Sequence, residues 1–523
     1  MYIEPNTTIK LYAGIPLDNT YNHTLYFATK QFQDAYFHSG IAKYSIPVNS
    51  YQRVEKGKMR IERKADDLYD CNYLAFQNTN YGNKWFYAFI TGVEYINNVT
   101  SEIKFEIDSM QTYCFDVDIK ECYVEREHSL TDNVGDNIIE EPLEIGDITC
   151  TNIAGTNHFN SYVAVVASTY DATAQATARA SVKGGLLTGA KYTYALINNQ
   201  SQVDALADYL VALVNANKTD SVVSLFLMPF DFIPDDTDDN GIHPRVQVAR
   251  VQKNNNIHGY VPKNKKLLTY PYNYLGVDCG NSSAVYRYEW FNGGDDYCDF
   301  MMMCAMSCNP EIALIPEAYN GVGTTEFNYI EKLVMKDFPQ VSFSIDSYAR
   351  WLAEQGTQNT LQFISGGATS VLGAAALMAG ASIGGTALAG AGLIGGLLTS
   401  ANARSQEIVA QNKPPQSRGV SSGSFDVASR TKDFYFRQMQ ITEQNARIID
   451  DFFTMYGYAC HRVKKPNLNS RPRWNYVKTK GCVAVGSAPS DEIKKICSIY
   501  DKGITFWKNA NEVGDYSLNN APT

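Results

Sequence analysis

Several short stretches carry residue types that could do chemistry, and each needs a context before it can. Gly419-Val420-Ser421-Ser422-Gly423 has the spacing of a nucleophile elbow. That motif exposes a serine only on a sharp strand-to-helix turn. Here it sits in a Pro/Ser-rich stretch, so it reads as coincidence. Gly390-Ala391-Gly392-Leu393-Ile394-Gly395 has the dinucleotide spacing. It lacks the βαβ unit and the acidic ribose partner that such a site requires. Asp236-Thr237-Asp238-Asp239-Asn240-Gly241 resembles the first half of a calcium loop. The twelfth position, which should be a bidentate Glu, is Gln247, and Pro244 intrudes. A solvated acidic turn is the expected reading. Cys298, Cys304 and Cys308 cluster beside methionines, with no His nearby in sequence. Zinc needs four ligands in closed geometry, so buried free thiols are expected. His128, in VEREH, is expected to make a surface or interface hydrogen bond. The Glu140-Glu141 pair could suggest glycosidase chemistry, but that depends on a spatial separation of about 5 to 10 Å. No HExxH, Walker A or CxxC pattern occurs. No catalytic residue, metal ligand or cofactor is expected.

The chemistry that stands out is solvation. No charged residue occurs between Glu354 and Arg404. The strong hydrophobes in this run are Leu361, Phe363, Ile364, Val371, Leu372, Leu377, Met378, Ile383, Leu388, Leu393, Ile394, Leu397 and Leu398, separated by Ala, Gly, Ser and Thr. A membrane-spanning helix needs about 20 mostly apolar residues. The run is long enough for two passes, with Gly384 and Gly385 as a natural bend. Each interior Gly costs about 1 kcal/mol against Ala in a helix, so a helix in water would need packing partners. Gly380/Gly384 and Gly392/Gly396 have the spacing that allows close helix approach in lipid. Three readings compete. A conditional segment, shielded in an assembly and inserted later, ranks first. A buried helix pair or low-complexity loop ranks second. A constitutive anchor ranks last, because Lys/Arg anchors are missing on its N-terminal side.

The elements around the run are those of a multidomain, mainly β protein. The chain has 523 residues, which on a prior of roughly 150 per domain means more than one. Its net charge is −10. Phosphate binding needs clustered Lys and Arg, so specific nucleic-acid affinity is not expected. The 11 cysteines are scattered and odd in number, as expected for folding in a reducing cytosol. The polar start, MYIEPNTTIKLYAGIPLDNTY, does not read as a signal peptide.

From Lys84 to Ile96, KWFYAFITGVEYI is rich in aromatic and β-branched residues. Ile103, Phe105 and Ile107 then alternate with Lys104, Glu106 and Asp108. Together they predict an antiparallel hairpin. Composition changes near Leu130. SYVAVVAS (161–168) and SVVSLFLMPF (221–230) read as buried strands. Between them Val203, Leu206, Leu210 and Leu213 line a helix face, with Ser201 as N-cap. Residues 131–260 thus form an α+β insertion. Strand-like runs return over 261–350. The apolar run and a Pro/Gly/Ser-rich exit linker occupy 351–425, with Pro414 and Pro415 as a second hinge beside Gly384 and Gly385. Residues 426–523 hold a helix from about Lys432 to Tyr456, with Ala446, Ile449, Phe452, Phe453 and Tyr456 on its apolar face and Gly457 at its stop. A strand over WNYVKTKGCVAV and a short helix near Asp491 follow.

LYAGIPLDNTYNHTLYF, NTNYGNKWFYAFITGVEYI, FEIDSMQTYCFDVDIKECYVEREH and IIDDFFTMYGYACHRVKKPNLNSRPRWNYVKT together resemble the distal tail tube, or tail knob, proteins of phi-29-like short-tailed bacteriophages. The motifs cover both flanks of the chain. The resemblance implies a hexameric tube of β-barrel domains around a DNA-sized channel. Residues 1–130 and 261–350 would be the two parts of the tube β region, 131–260 an inserted knob-like domain, 351–425 a hydrophobic plug and linker, and 426–523 the C-terminal tube region. The plug would leave the lumen on infection and help to open a pore in the host cytoplasmic membrane.

Six apolar segments meeting at an axis could also bury one another, which a single copy cannot do. Closing a ring requires head-to-tail contacts. The implied partners are further copies of the chain in a homohexamer ring, other tail proteins, the host cytoplasmic membrane, and double-stranded DNA that slides past an acidic wall without specific binding. The implied location is the virion tail tip, after synthesis in the host bacterial cytoplasm. The alternative is a tail-associated protein that binds or degrades the host cell wall.

Overall fold

Alternation of buried and half-buried residues builds the first sheet. The computed structural model describes residues 7–49, 57–79, 82–170, 246–342 (apart from 281, 293–295, 306–309 and 339), 420–422 and 433–522. Of residues 171–245 it describes 179–181 and parts of 191–233. The strands are Thr7–Ala13, Tyr44–Asn49, Lys58–Ile61, Cys71–Asn78, Trp85–Asn97 and Thr100–Ile107. The last two form the expected hairpin, antiparallel, with Val93 opposite Ile103.

Successive residues point to opposite faces of a strand. Tyr12, Tyr73, Tyr87 and Phe89 go to one cluster. Ile9, Leu11, Leu74 and Ala88 go to another. That second cluster also takes Ile46 from one edge strand and Met59 and Ile61 from the other. The two edges of a flat six-stranded sheet would lie about 24 Å apart at 4.8 Å per strand. Side chains from both edges meet in one cluster, so the sheet curls around it.

This sheet belongs to the first of two compact units, Met1–Asp147 with Asn256–Tyr272 and Ile441–Thr523. The unit's second sheet has the order His23–Leu25, Ile504–Trp507, Trp474–Lys480, Cys122–Glu127, Tyr458–Lys464. Its Trp474 and Trp507 are fully buried, ring centroids 4.9 Å apart. They share the cluster that takes Tyr73 and Phe89 from the first sheet. Removing a core Trp ring typically costs about 3–5 kcal/mol.

The second unit comprises Ile148–Asn255 and Asn273–Gln440. Its central strand, Tyr162–Ser168, is buried along its whole length. It pairs antiparallel with Lys191–Leu196 and Val222–Pro229. Two four-stranded sheets accompany it, one containing Asn273–Asp278 and Tyr435–Ile441, the other Tyr297–Ala305. Side chains from all three sheets enter one core. Cys298 and Cys304 face that core, beside Phe300 and Met302, as buried thiols; Cys308 lies outside the described residues.

The mainly β reading holds. The units divide the chain at different places from the composition, however. The break near Leu130 falls inside the first unit, which runs on to Asp147. Strands 273–278 and 297–305 join the same unit as 162–168, and only 256–272 returns to the first. The helix expected from Lys432 begins at Glu443, because Tyr435–Ile441 is a strand. The sequence KDFYFRQMQI alternates, with Phe434, Phe436 and Ile441 buried. Thr442 then caps the helix, its side chain accepting from Asn445 N. Phe453 is fully buried, whereas Tyr456 is 37% exposed. Gly457 ends the helix at φ 65°, where a Cβ would lie 2.3 Å from the Glu127 carbonyl. Ser201 lies within its helix; Asn199 Oδ1 accepts from Gln202 N. Leu206 and Leu213 are buried there, with Tyr209; Val203 and Leu210 lie outside the described side chains.

Candidate functional site: a sheet edge and a polar clasp

The central sheet of the second unit extends through two short strands. Gln340–Ser342 pairs antiparallel with Val222–Pro229. Val420–Ser422 pairs antiparallel with Gln340–Ser342, placing Ser342 opposite Val420. Opposed residues of an antiparallel pair lie about 5 Å apart. Residues 343–419 therefore leave and return at one point on a sheet edge. The leucines and other hydrophobes named above, and Gly384, Gly385, Pro414 and Pro415, all lie in 343–419, outside the described residues. So does the Asp236–Gly241 turn, in its own stretch.

The Pro/Gly/Ser-rich exit linker expected within 351–425 contains the strand Val420–Ser422, which corrects that expectation in part. The strand also removes the nucleophile-elbow context, since Ser421 sits within a ladder. The outgoing strand had a signal: in QVSFSI, apolar Val341, Phe343 and Ile345 alternate with Gln340, Ser342 and Ser344.

A different chemistry holds the first unit where the chain departs from it and returns. Asp450, fully buried on the helix Glu443–Tyr456, accepts from Tyr260 Oη (2.5 Å), Lys263 N (2.7 Å), Asn264 N (3.0 Å) and Asn264 Nδ2 (2.7 Å). Asn264 Nδ2 also reaches Thr454 Oγ1 at 2.8 Å. Tyr458 Oη donates to Asp132 Oδ1 at 2.6 Å and to Asn264 Oδ1 at 3.0 Å. Glu141 accepts from Lys266 Nζ at 2.5 Å, from Ala459 N at 3.1 Å and from Arg126. Lys266 Nζ also donates to the Ile139 carbonyl at 2.7 Å.

Burying charge is costly unless it is paired or fully hydrogen-bonded; here Glu141 is paired with Lys266 and Arg126, and Asp450 is held by four hydrogen bonds from neutral donors. Glu141 thus serves as a structural counter-ion. His128 is buried too, not at the surface. Its Nδ1 accepts from Tyr476 N at 2.8 Å, so its Nε2 carries the proton donated to the Thr454 carbonyl at 3.1 Å. Burial, then the Arg471 charge, pushes His128 down to about 3. Asp108 moves the opposite way: burial pushes it up to about 6, although it accepts from Tyr73 Oη and Gln111 N.

Among the described residues no group of three or more His, Cys, Asp and Glu is placed to hold a metal. Nor is any helix among them long and apolar enough to cross a membrane.

The curled β unit and the strand-borne extensions can be set beside known proteins, which give the class. A family model described as the Caudoviral major tail protein N-terminus matches residues 5–119. The structure of the bacteriophage C1 tail knob protein, gp12, superposes with a TM-score of 0.60 at 14% identity, over 98% of this chain and 99% of that one. This is the fold of a phage tail protein. The family follows from the rest of the chain. The model for Bacillus phage phi29, tail knob protein gp9, C-terminal domain, matches residues 240–521. Tail knob proteins gp9 of Bacillus phages B103 and phi29 are 26% and 25% identical, each over 98% of both chains. The chain belongs to the tail knob protein family of phi29-like short-tailed phages, structural proteins of the phage tail.

Proposed function

We propose that this chain forms a hexameric, DNA-conducting tube at the tail tip, closed by its apolar segments until infection. On infection the segments leave the lumen and enter the host cytoplasmic membrane, and the genome passes through. Its partners are then its own copies, neighbouring tail proteins, the membrane and DNA that slides without specific contacts. The observation that supports the reading is the ladder Gln340–Ser342/Val420–Ser422. It joins both ends of the uncharged run to one sheet edge, so the run can move as a closed loop while the sheet stays paired. Two passes of about 20 residues fit within it. The net charge of −10 suits a wall past which DNA slides.

The test is dye leakage from liposomes, comparing the full chain with a deletion of residues 356–410 that leaves both short strands in place. Ring assembly is followed by electron microscopy. Leakage that the full chain causes and a ring-forming deletion does not is the expected result. Equal leakage from both, or none from either at any pH tested, would reduce the segment to a passive stopper.

A further inference from the structure

Three thiols converge in the first unit on elements far apart in sequence. Cys497 lies on the helix Ser490–Lys502, and Cys482 lies in the turn after the strand Trp474–Lys480. Asp501, one helical turn beyond Cys497 and so on the same face, fixes that turn. Its Oδ1 accepts from Cys482 N at 3.0 Å and Thr479 Oγ1 at 2.7 Å, and its Oδ2 accepts from Gly481 N at 3.2 Å. The helix thereby brings Cys497 to the side of the turn that carries Cys482, close enough for the two thiols to influence each other. Cys122 approaches from the other side. The Lys120 N–H bonds the Val483 carbonyl at 2.8 Å and Lys480 is paired with Tyr123, which brings Cys122 to the same turn. Cys482 and Cys497 are half-buried, whereas Cys122 is buried. Burial first, then the Cys497 and Cys122 thiols, pushes Cys482 up.

We propose that Cys482 and Cys497 are a modification site, a thiol pair that closes to a disulfide when the folded protein meets a low-molecular-weight disulfide. One of the two thiols loses its proton and, as thiolate, attacks one sulfur of the reagent, whose other half leaves and takes up that proton as a thiol. The other protein thiol then attacks the protein sulfur of the mixed disulfide. Its proton goes to the departing second thiolate. One reagent disulfide is reduced to two thiols, and the two protein thiols are oxidised to one bond. Cys122 is passed over because an oxidant reaches the half-buried pair first. A tail protein folds where thiols are kept reduced and works outside that compartment, so the bond would staple the helix to its turn after folding is complete. Only this last point rests on the proposed function; the chemistry does not.

The full-length protein is treated with glutathione disulfide at the dose that converts the exposed Cys150 to its mixed disulfide, then blocked with N-ethylmaleimide, digested without reductant and read by mass spectrometry. A Cys482–Cys497 cross-linked peptide, two hydrogen atoms lighter than its parts, is expected. It disappears in C482S and in C497S and persists in C122S. Alkylation of both thiols at that dose, or a Cys122–Cys482 link in their place, overturns the proposal. The unsubstituted protein alone gives this readout, so a variant that fails to fold leaves the test intact.

Discussion

The polar clasp of the first unit and the core of the second solve the same problem by opposite means. In the clasp, Asp450, Asn264, Glu141 and Lys266 are buried, and each hydrogen bond depends on a named partner across the chain. In the second unit, Tyr162–Ser168 is buried at every residue, with Val163, Val165 and Val166 at 0% exposure, and packing is apolar on both faces. An apolar core tolerates changes of shape at similar volume. A hydrogen-bonded network does not tolerate a missing member, because the remaining groups stay buried and unpaired. The clasp thus specifies one geometry within the first unit, and the core of the second supplies bulk stability where geometry is already set by the sheet.

The largest effect expected from this contrast is in Asp450→Ala. It leaves the Tyr260 hydroxyl and the backbone N–H groups of Lys263 and Asn264 without their acceptor, and should destabilise the first unit by about 3–5 kcal/mol, at about 1–3 kcal/mol for each group left unsatisfied. Denaturant unfolding followed by the fluorescence of Trp474 and Trp507 measures it; a loss below about 1 kcal/mol would break the comparison.

The next effect is pH. His128 is neutral when folded and has a folded value near 3 against an ordinary 6.5. Its contribution is complete above about 6.5 and is lost as pH falls toward 3. From pH 6.5 to 5 that is about 2 kcal/mol, at about 1.4 kcal/mol per unit. Asp108 has the reverse sign: its contribution is present below about 4 and lost as pH rises through 6. In the H128Q variant the acid-side loss should shrink by about one proton, as read from melts at pH 7 and 5. An unchanged slope would assign the loss elsewhere.

In the second unit, Leu227→Met should cost less than about 1.5 kcal/mol, even though Leu227 is fully buried. A cost equal to that of Asp450→Ala would show both regions to be equally exacting. The smallest effect is expected from Thr442→Ala, which removes one helix cap and about 1 kcal/mol.

Much of the fold was legible in local pattern. The hairpin over 85–107 and the buried strands 162–168 and 222–229 follow from period-2 alternation or unbroken β-branched runs. The helix 443–456 was legible in its apolar face, but its start was misplaced because aromatic alternation in KDFYFRQMQI was absorbed into the helical period. The apolar segment was legible from its lack of charge alone. The clasp was not. Arg126 meets Glu141 across 15 residues, and Tyr458 meets Asp132 across 326. Nothing in the neighbourhood of Asn264 or Asp450 marks either as a partner of the other. The return of 256–272 to the first unit leaves no trace in composition for the same reason: its partners there, such as Asp450 for Asn264 and Phe453 for Tyr272, are distant in sequence.

The interleaving of the first unit sets a timetable for the ribosome. Its six-stranded sheet is complete by Ile107, yet the strands that cover Tyr73 and Phe89, Trp474–Lys480 and Ile504–Trp507, are the last to be made. At roughly 5–20 residues per second, that aromatic face waits some tens of seconds for its lid. During that interval the nascent chain carries an open, Tyr- and Phe-rich surface, and aggregation competes with synthesis. Slowing elongation, or truncating the chain before Trp474, prolongs the exposure without changing any contact of the finished protein.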